Sequence, residues 1–315
     1  MWLLLKYTLL YAAVLMLVAL GGMFSERSGV INIALEGIMV IGGLLGVVMI
    51  NIMNAAGVPI FLGILISIVI SAIAGMIYSS MLAFSAINLK ADQTIGGTAL
   101  NLLATAVAMV IAKRINGSDS PKITYSTNTN AWFNASHFSF NVGPLTLNWF
   151  LLVTLAAIAA AWFILYRTRF GMRLMACGEH PQAADSVGIN VYKMRWAGVL
   201  MSGALGGIGG MAYIVPAVGD WNFEMGVAGM GFLALAVMIF GQWKPLNIAG
   251  AALFFAVFRA MANIFDSIPF LASMGWPKEV YNMMPFIASM IVLAFTSRKS
   301  RAPKAEGIPY DKGSR

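Results

Sequence analysis

Long, uninterrupted apolar runs dominate the chain, and they limit what it can fold into more than any other feature. A helix needs about 20 apolar residues to cross the hydrocarbon core of a bilayer. Nine runs approach or exceed this length, and their continuous character favours helices over the alternating strands of a membrane barrel. We therefore predict an all-α polytopic membrane bundle with about nine (eight to ten) transmembrane helices. The predicted spans are 2–23, 33–53, 59–86, 95–112, 147–166, 195–216, 226–240, 246–264 and 284–297, with 59–86 long enough to be strongly tilted or broken.

The composition supports a membrane protein. Hydrophobic residues make up 60% of the chain, charged residues only 10%, and the mean hydropathy is +0.82. A soluble protein of 315 residues needs far more charge to cover its surface. The net charge of +8 does not indicate nucleic acid, because the basic residues lie in loops and a tail beside apolar runs. The single cysteine excludes an intrachain disulfide bond.

Basic residues predict the orientation of the chain in the membrane. They concentrate in segment 167–195 and in the tail 298–315, which we therefore expect to be cytoplasmic. Nine spans then place the N-terminus outside, although Lys6 mildly opposes this, and make segment 114–146 an external loop. Residues 1–297 are predicted to form one membrane domain. The tail has prolines among its charges and is predicted to be disordered.

Motifs for enzymatic chemistry are missing from the sequence. Lys never follows Gly, so a Walker A phosphate loop is excluded. The two histidines, His137 and His180, fall on opposite sides of the predicted membrane and cannot form a metal site together. We expect no catalytic residue, no metal and no cofactor in this chain.

Polar residues inside the predicted spans are candidates for a solute pathway. An ionisable group in a span is costly and suggests function, so Glu36 is a pathway candidate, and Asn32 and Asn101 could hydrogen-bond a polar solute. The alternatives are a Glu36–Arg27 pair at the membrane interface and asparagine hydrogen bonds to neighbouring helices. For Arg259, we expect the side chain to reach towards the outer interface. Small-xxx-small patterns predict close helix packing, at Gly42–x3–Gly46, Gly203–x3–Gly207 and Gly206–x3–Gly210.

Segment 167–195 carries the most specific pattern. Pro181 suits the first turn of a helix and Gly188 suits a left-handed C-terminal cap, which leaves about two helical turns between them. A short helix parallel to the membrane, with Ala183 and Ala184 forming a small smooth face, would fit a cleft on a partner protein. A basic loop lying on the membrane surface is the alternative.

Three stretches together resemble one family. Residues 178–210 (GEHPQAADSVGINVYKMRWAGVLMSGALGGIGG) are similar to the coupling segment and next helix of ABC-importer permeases of the ribose, branched-chain amino acid and nucleoside group. Residues 28–37 (SGVINIALEG) and 231–246 (GFLALAVMIFGQWKPL) resemble two further family segments, in the family's order. His180 replaces the usual Asn. The matching residues of the first stretch are Pro181, Ala183, Ala184, Gly188, Ile189, Ser202, Gly203 and Ala204.

The resemblance implies a permease fold like that of vitamin B12 importers, and a set of partners. Two permeases would pair, a cytoplasmic ABC ATPase would bind ATP and Mg, and an extracytoplasmic binding protein would deliver the solute. The chain would be a multi-pass protein of the bacterial cell membrane with a cytoplasmic C-terminus. The residues implied to contact the ATPase are Arg173, Gly178, Glu179, His180, Pro181, Ala183, Ala184, Asp185, Gly188 and Ile189.

The residues of the motif at 28–37 indicate which class of solute is carried. Asn32 and the Leu-Glu-Gly continuation look like the nucleoside-type subgroup, which resembles heterodimers served by a binding lipoprotein and often by a double-domain ATPase. Nucleosides are the preferred cargo, ribose or another monosaccharide the alternative, and a stand-alone secondary transporter or channel the competing class. External segments suggest a docking site for the binding protein, at Asp220, Trp221, Glu224 and Lys278.

Overall fold

A computed structural model describes residues 2–124, 139–143, 145–216, 220–296 and 302–313. Within them the chain is a helical bundle, as predicted. The helices are α1 Trp2–Arg27, α2 Leu35–Ala55, α3 Ile60–Ala83, α4 Gln93–Asn116, α5 Trp149–Arg167, α6 Arg169–Glu179, α7 Pro181–Ser186, α8 Val191–Ile214, α9 Met230–Phe240, α10 Pro245–Asn263, α11 Pro269–Ala272 and α12 Lys278–Thr296. A π-helical turn, Phe84–Asn88, extends α3, and 3-10 turns lie at Phe223–Met225 and Phe265–Ser267.

Four short strands pair at one end of the bundle. Strand β1 (Lys122–Thr124) pairs antiparallel with β4 (Asp220–Asn222), and β2 (Ser139–Val142) forms a hairpin with β3 (Leu145–Asn148). We call this the strand end. The opposite end of the bundle carries α6 and α7, and we call it the α6–α7 end. Helices α1 and α5 run from the strand end to the α6–α7 end, and α8 runs back.

The predicted spans correspond to helices of the structure. Within the described residues, eight helical stretches are long and apolar enough to cross a membrane. Helix α12 is a further long helix and covers most of the ninth predicted span. The predicted boundaries differ by a few residues; α8, for example, begins at Val191 rather than at 195, and α12 begins at Lys278 rather than at 284. The expected irregularity in 59–86 is the π-helical turn that follows α3.

Helix α1 is the central element of the bundle. Every residue from Tyr11 to Glu26 is buried, which fits a helix that is apolar on all sides. It contacts α8, α10, α9 and α5. Because α1 spans from the strand end to the α6–α7 end, the position of its last turn is set by packing along its whole length.

Glycines bring α2, α3 and α8 into backbone contact. A Cβ atom on Gly42 would overlap Gly207, one on Gly75 would overlap the Gly203 carbonyl, and one on Gly210 would overlap the Met39 carbonyl. Such contacts are how membrane helices pack without a hydrophobic driving force. The close packing predicted from the small-xxx-small patterns is confirmed.

The C-terminal segment 302–313 is ordered against the α6–α7 end, so the predicted disorder is wrong for these residues. Ala305 and Tyr310 are buried, and the Ala305 N–H donates to the carbonyl of Gly178 at 2.8 Å. Gly307 adopts a φ of +75°, which favours glycine, and its N–H donates to the carbonyl of Gly29 at 3.3 Å. The apolar and glycine residues inside this charged tail supply the contacts that composition alone does not predict.

Candidate functional site

Helix α6 is an amphipathic helix held closely against the end of the bundle. The Thr168 side chain accepts a hydrogen bond from the N–H of Gly171 and so caps the helix at its start. Leu174 and Cys177 are buried, whereas Met172 is 55% exposed. A Cβ atom on Gly178 would overlap the carbonyl of Arg27. Glycine therefore lets α6 approach the end of α1 closely, although the sequence alone indicated only a short helix further along.

Helix α7 has the predicted ends. Pro181 lies in its first turn, and Gly188, with a φ of +84°, follows its last. Its two alanines, however, do not share an exposed face. Ala184 is 3% exposed and packs with Cys177 and Val191, whereas Ala183 is exposed. The predicted Ala-Ala surface is corrected, because residues one apart on a helix point about 100° away from each other.

The exposed surface of α7 is small and mostly uncharged. Asp185 is half-buried beside the hydroxyl of Tyr310, and Ile189 is half-buried as well. A cavity of about 420 Å³ lies beside α7, lined in part by Asp185, Asn190, Tyr192 and Lys312. The exposed residues of this surface are His180, Gln182, Ala183, Ser186, Val187 and Gly188.

Arg173 and Glu179, the other two predicted contact residues on α6, have different surroundings. Arg173 is exposed. Glu179 lies 4.0 Å from Arg27, whose guanidinium also donates to the carbonyl of Trp243. Glu179 is thereby tied to the end of α1, whereas Arg173, like Arg169, is a basic side chain that α6 presents to solvent.

The C-terminal segment contributes residues that sequence reasoning missed. Tyr310 packs edge-on against Tyr192 with ring centroids 5.4 Å apart, and the Arg195 guanidinium donates to the carbonyl of Ile308 at 2.9 Å. Lys90, from the turn before α4, lies 3.1 Å from Asp311. One signal was present in the sequence: Tyr310 is an aromatic residue flanked by Pro309 in an otherwise polar tail.

The pKa shifts at this end are caused by burial for Cys177 and Tyr310 and by a hydrogen bond for Asp311. Burial raises the pKa of the Cys177 thiol to about 11, although the nearby Arg195 charge opposes this shift. Burial and then the neighbouring Asp185 raise the pKa of Tyr310. The hydrogen bond from Lys90 lowers the pKa of Asp311. Cys177 is therefore a protected thiol beneath the C-terminal segment, and Tyr310 stays a neutral hydrogen-bonding group.

Two of the three pathway candidates, Glu36 and Asn101, make hydrogen bonds at helix starts. Glu36 accepts from the N–H groups of Gly229 at 2.8 Å and Gly231 at 2.7 Å, so it caps α9. The Asn101 side chain accepts from the Gly37 N–H and donates to the Ile33 carbonyl. The prediction that Glu36 pairs with Arg27 is wrong, because Arg27 contacts Glu179 and Trp243.

Asn32 is the one candidate with a polar atom left over. Its side-chain amide donates to the Ser202 hydroxyl at 2.8 Å, while its Oδ1 atom is buried without a partner among the described residues. For the asparagines, the structure shows the helix-to-helix hydrogen bonds that were the alternative interpretation. A role in solute passage stays a prediction for all three residues.

The predicted docking residues are placed at or near the strand end. Trp221 is half-buried and donates to the Gly226 carbonyl at 3.0 Å, and its ring packs edge-on against Tyr213. Asp220 lies in β4 and is paired with Thr124 of β1. Glu224 and Lys278 are exposed. Arg259 lies in the half of α10 near the strand end. Its guanidinium donates to the Tyr213 hydroxyl at 3.1 Å, so the side chain is held within the bundle.

The chain is similar to known membrane permeases over most of its length. Residues 4–294 match the family described as branched-chain amino acid transport system / permease component. The guanosine ABC transporter permease protein NupQ of Bacillus subtilis is 39% identical, over 98% of this chain and 96% of the relative. The nucleoside ABC transporter permease protein NupC of Lactococcus lactis is 38% identical, over 96% of this chain and 95% of the relative.

A second Lactococcus lactis protein, the nucleoside ABC transporter permease protein NupB, is 26% identical over 64% of this chain. The family match covers the whole helical bundle, including α6 and α7, and the relatives match over nearly their full length. The chain is therefore a membrane permease subunit rather than an enzyme, and it belongs to the ABC transporter permeases of the branched-chain amino acid transport system family.

Proposed function

We propose that this chain is one permease subunit of an ABC importer that carries nucleosides into the cell. The observation that carries the cargo is the similarity to two nucleoside-type permeases, NupQ and NupC, at 39% and 38% identity over nearly the whole chain. The motif at 28–37, with Asn32 and Leu-Glu-Gly, agrees with this assignment.

The distribution of charge supports a cytoplasmic α6–α7 end. Ten of the described Lys and Arg residues lie towards this end and six towards the strand end, which matches the excess of positive charge on cytoplasmic loops. The C-terminus would then be cytoplasmic and the N-terminus external. The ten are Arg27, Lys90, Arg167, Arg169, Arg173, Lys193, Arg195, Lys244, Lys304 and Lys312; the six are Lys6, Lys113, Arg114, Lys122, Arg259 and Lys278.

The partners follow from the same assignment. A cytoplasmic ATPase binds ATP and Mg, because this chain has no Walker A motif. A paralogous permease completes the pathway, in keeping with the similarity to both NupC and NupB of one organism. An extracytoplasmic binding lipoprotein delivers the solute to the strand end, where Asp220, Trp221, Glu224 and Lys278 lie.

The exposed surface of α7 is the contact with the ATPase in this proposal. ATP binding closes the ATPase dimer, and α7 moves with the surface that it contacts. The movement passes to α1 because α6 packs against the end of α1 at Gly178. The motion reaches the spans only if the ATPase contacts differ between the two states. Because Ala183 is exposed and uncharged, Ala183→Glu should lower nucleoside uptake at least about tenfold while the permease still inserts and assembles, a loss of more than about 1.4 kcal/mol in effective coupling.

Uptake in a strain that lacks this gene tests the cargo directly. This strain should no longer take up labelled guanosine, adenosine and uridine, and the gene supplied in trans should restore uptake. Labelled ribose and glucose form the second arm, because the putative glucose ABC transporter permease protein TsgC13 of Haloferax volcanii is 31% identical over 82% of this chain. Loss of sugar uptake with unchanged nucleoside uptake would favour a monosaccharide permease and refute the nucleoside assignment.

A further inference from the structure

The C-terminal segment 302–313 ties together parts of the chain that are far apart in sequence. Ala305 bonds to the last turn of α6, Gly307 bonds to the loop after α1, and Ile308 accepts from Arg195 near the start of α8. Asp311 reaches Lys90 before α4. Four separate segments of the α6–α7 end are therefore held by one short stretch of chain.

One contact in this set cannot form between two charged groups. The carboxyl groups of Glu26, in the last turn of α1, and Glu306 are in hydrogen-bond contact with each other. Two carboxylates have only acceptor oxygens, so such a bond needs one proton on the pair. Glu26 is 3% exposed, and the Oε2 atom of Glu306 is buried without any other donor among the described residues.

The surroundings do not neutralise two negative charges here. Glu26 accepts from the indole N–H of Trp243 at 2.6 Å. Arg27 is the cation that acts on Glu306, but it is shared with Glu179 and with the carbonyl of Trp243. The charge of Arg195 interacts with Cys177, Tyr192 and Tyr310. Lys244 and Lys304 are exposed to solvent.

We propose that residues 302–313 form a latch on the α6–α7 end, and that one proton shared by the carboxyl groups of Glu26 and Glu306 keeps this latch closed. Losing the proton places two negative charges in contact in a buried site, and the segment detaches. Detachment uncovers Cys177 and Ala184, which pack against Tyr310, and it removes the only protein acceptor that the structure gives the Arg195 guanidinium within the described residues.

The direction of the pH dependence follows from the raised pKa of Glu306, which burial causes. A carboxyl group whose pKa is higher in the closed state than in the open state holds its proton more tightly when closed. The closed state is therefore favoured at low pH and weakened as the pH rises through the raised pKa. Deprotonation opens the latch, and acidification closes it.

Cys177 provides a built-in probe of the latch, because it is the single cysteine of the chain and is fully buried under Tyr310. The experiment measures the rate of Cys177 alkylation by iodoacetamide in the purified transporter in lipid nanodiscs, read on this chain by mass spectrometry. Deletion of 302–315 gives the open reference at each pH, which cancels the intrinsic pH dependence of thiol reactivity. Gly307→Val is a second open reference, because its side chain would meet Ile31 at a φ of +75°.

The wild type should react about tenfold more slowly than both open references at about pH 6, and within about threefold of them at about pH 8.5. Glu306→Gln replaces the shared proton with an amide donor and should keep the tenfold protection at both values. Lys304→Gln, an exposed charge in the same segment, should behave as the wild type.

Wild-type labelling as fast as the open references at pH 6 would refute the latch. Equal protection of the wild type at both pH values, or loss of protection in Glu306→Gln, would refute the shared proton. The labelling does not depend on any cargo or on ATP, so its result stands apart from the outcome of the uptake experiments.

Discussion

The centre of the bundle and its α6–α7 end are built in opposite ways. At the centre, α2, α3 and α8 touch through glycines whose neighbours leave no room for a Cβ atom. At the α6–α7 end, hydrogen bonds, two ion pairs and a small cluster around Cys177 hold the segments together. Close backbone packing admits few alternative arrangements, whereas polar contacts can be exchanged for contacts with water or a partner. The difference suggests a stiff core that transmits movement and an end that can change its contacts.

The largest expected effect tests the stiffness of the centre. Gly210→Val would place its side chain against the Met39 carbonyl, and neither backbone can yield without separating α2 from α8. We expect almost complete loss of folded permease, measured as monodisperse protein after extraction in mild detergent. Gly250→Val on α10 is the matched control, because no atom lies within 4 Å of its Cβ position. Normal yield for Gly210→Val would mean that the central contact is not tight.

The next effect concerns the junction between the two regions, where α9 begins inside the bundle. Glu36→Ala removes the acceptor of two backbone N–H groups, those of Gly229 and Gly231, and leaves them buried. We expect a loss of about 3 kcal/mol in the free energy of unfolding, because two buried donors lose their acceptor. Thermal denaturation in detergent measures it. Glu224→Gln changes an exposed acid and should leave the midpoint temperature of unfolding as in the wild type. A wild-type midpoint for Glu36→Ala would show that Glu36 does not act as a cap.

The sequence predicted the centre better than the α6–α7 end, for a physical reason. Apolar length identifies a membrane helix locally, and glycine spacing on one helix indicates close packing whichever helix is its neighbour. The role of Glu36 depends instead on Gly229, 193 residues further along the chain, and no local pattern reveals that pair. Ala184 is buried because it packs with Cys177, Val191 and Tyr310, which the sequence does not place beside it.

The tail shows the same limit most clearly. Its composition predicts disorder, because charges and prolines outnumber apolar groups. Its order comes from a few specific bonds, from Ala305 to Gly178 and from Arg195 to Ile308, made with a surface that the rest of the fold prepares. Pro181 and Gly188 located α7 correctly because they favour the two ends of a helix, but such local signals say nothing of contacts with distant parts of the chain.

A smaller effect compares the two faces of α7. Ala184→Glu puts a charge into the cluster with Cys177 and Val191, whereas Ala183→Glu puts the same charge into solvent. We expect Ala184→Glu to lower the free energy of unfolding of this end by about 2 kcal/mol and Ala183→Glu to change it by less than about 0.5 kcal/mol. Proteolysis between α6 and α8 measures the local stability. Equal sensitivity of the two variants would contradict the burial of Ala184.

The smallest expected effect is at the outer edge of the latch, where Asp311 meets Lys90 at 3.1 Å. Both side chains are largely exposed, so water and salt screen their attraction, and surface ion pairs of this kind contribute little. The hydrogen bond from Lys90 lowers the pKa of Asp311, so the pair persists at neutral pH and weakens only as the pH falls towards the range where Asp311 is protonated. Asp311→Asn should therefore raise Cys177 alkylation at about pH 6 by less than about twofold, and added salt should remove the difference. A tenfold increase, equal to that of the tail deletion, would show that the Lys90–Asp311 pair, rather than the Glu26–Glu306 contact, keeps the C-terminal segment in place.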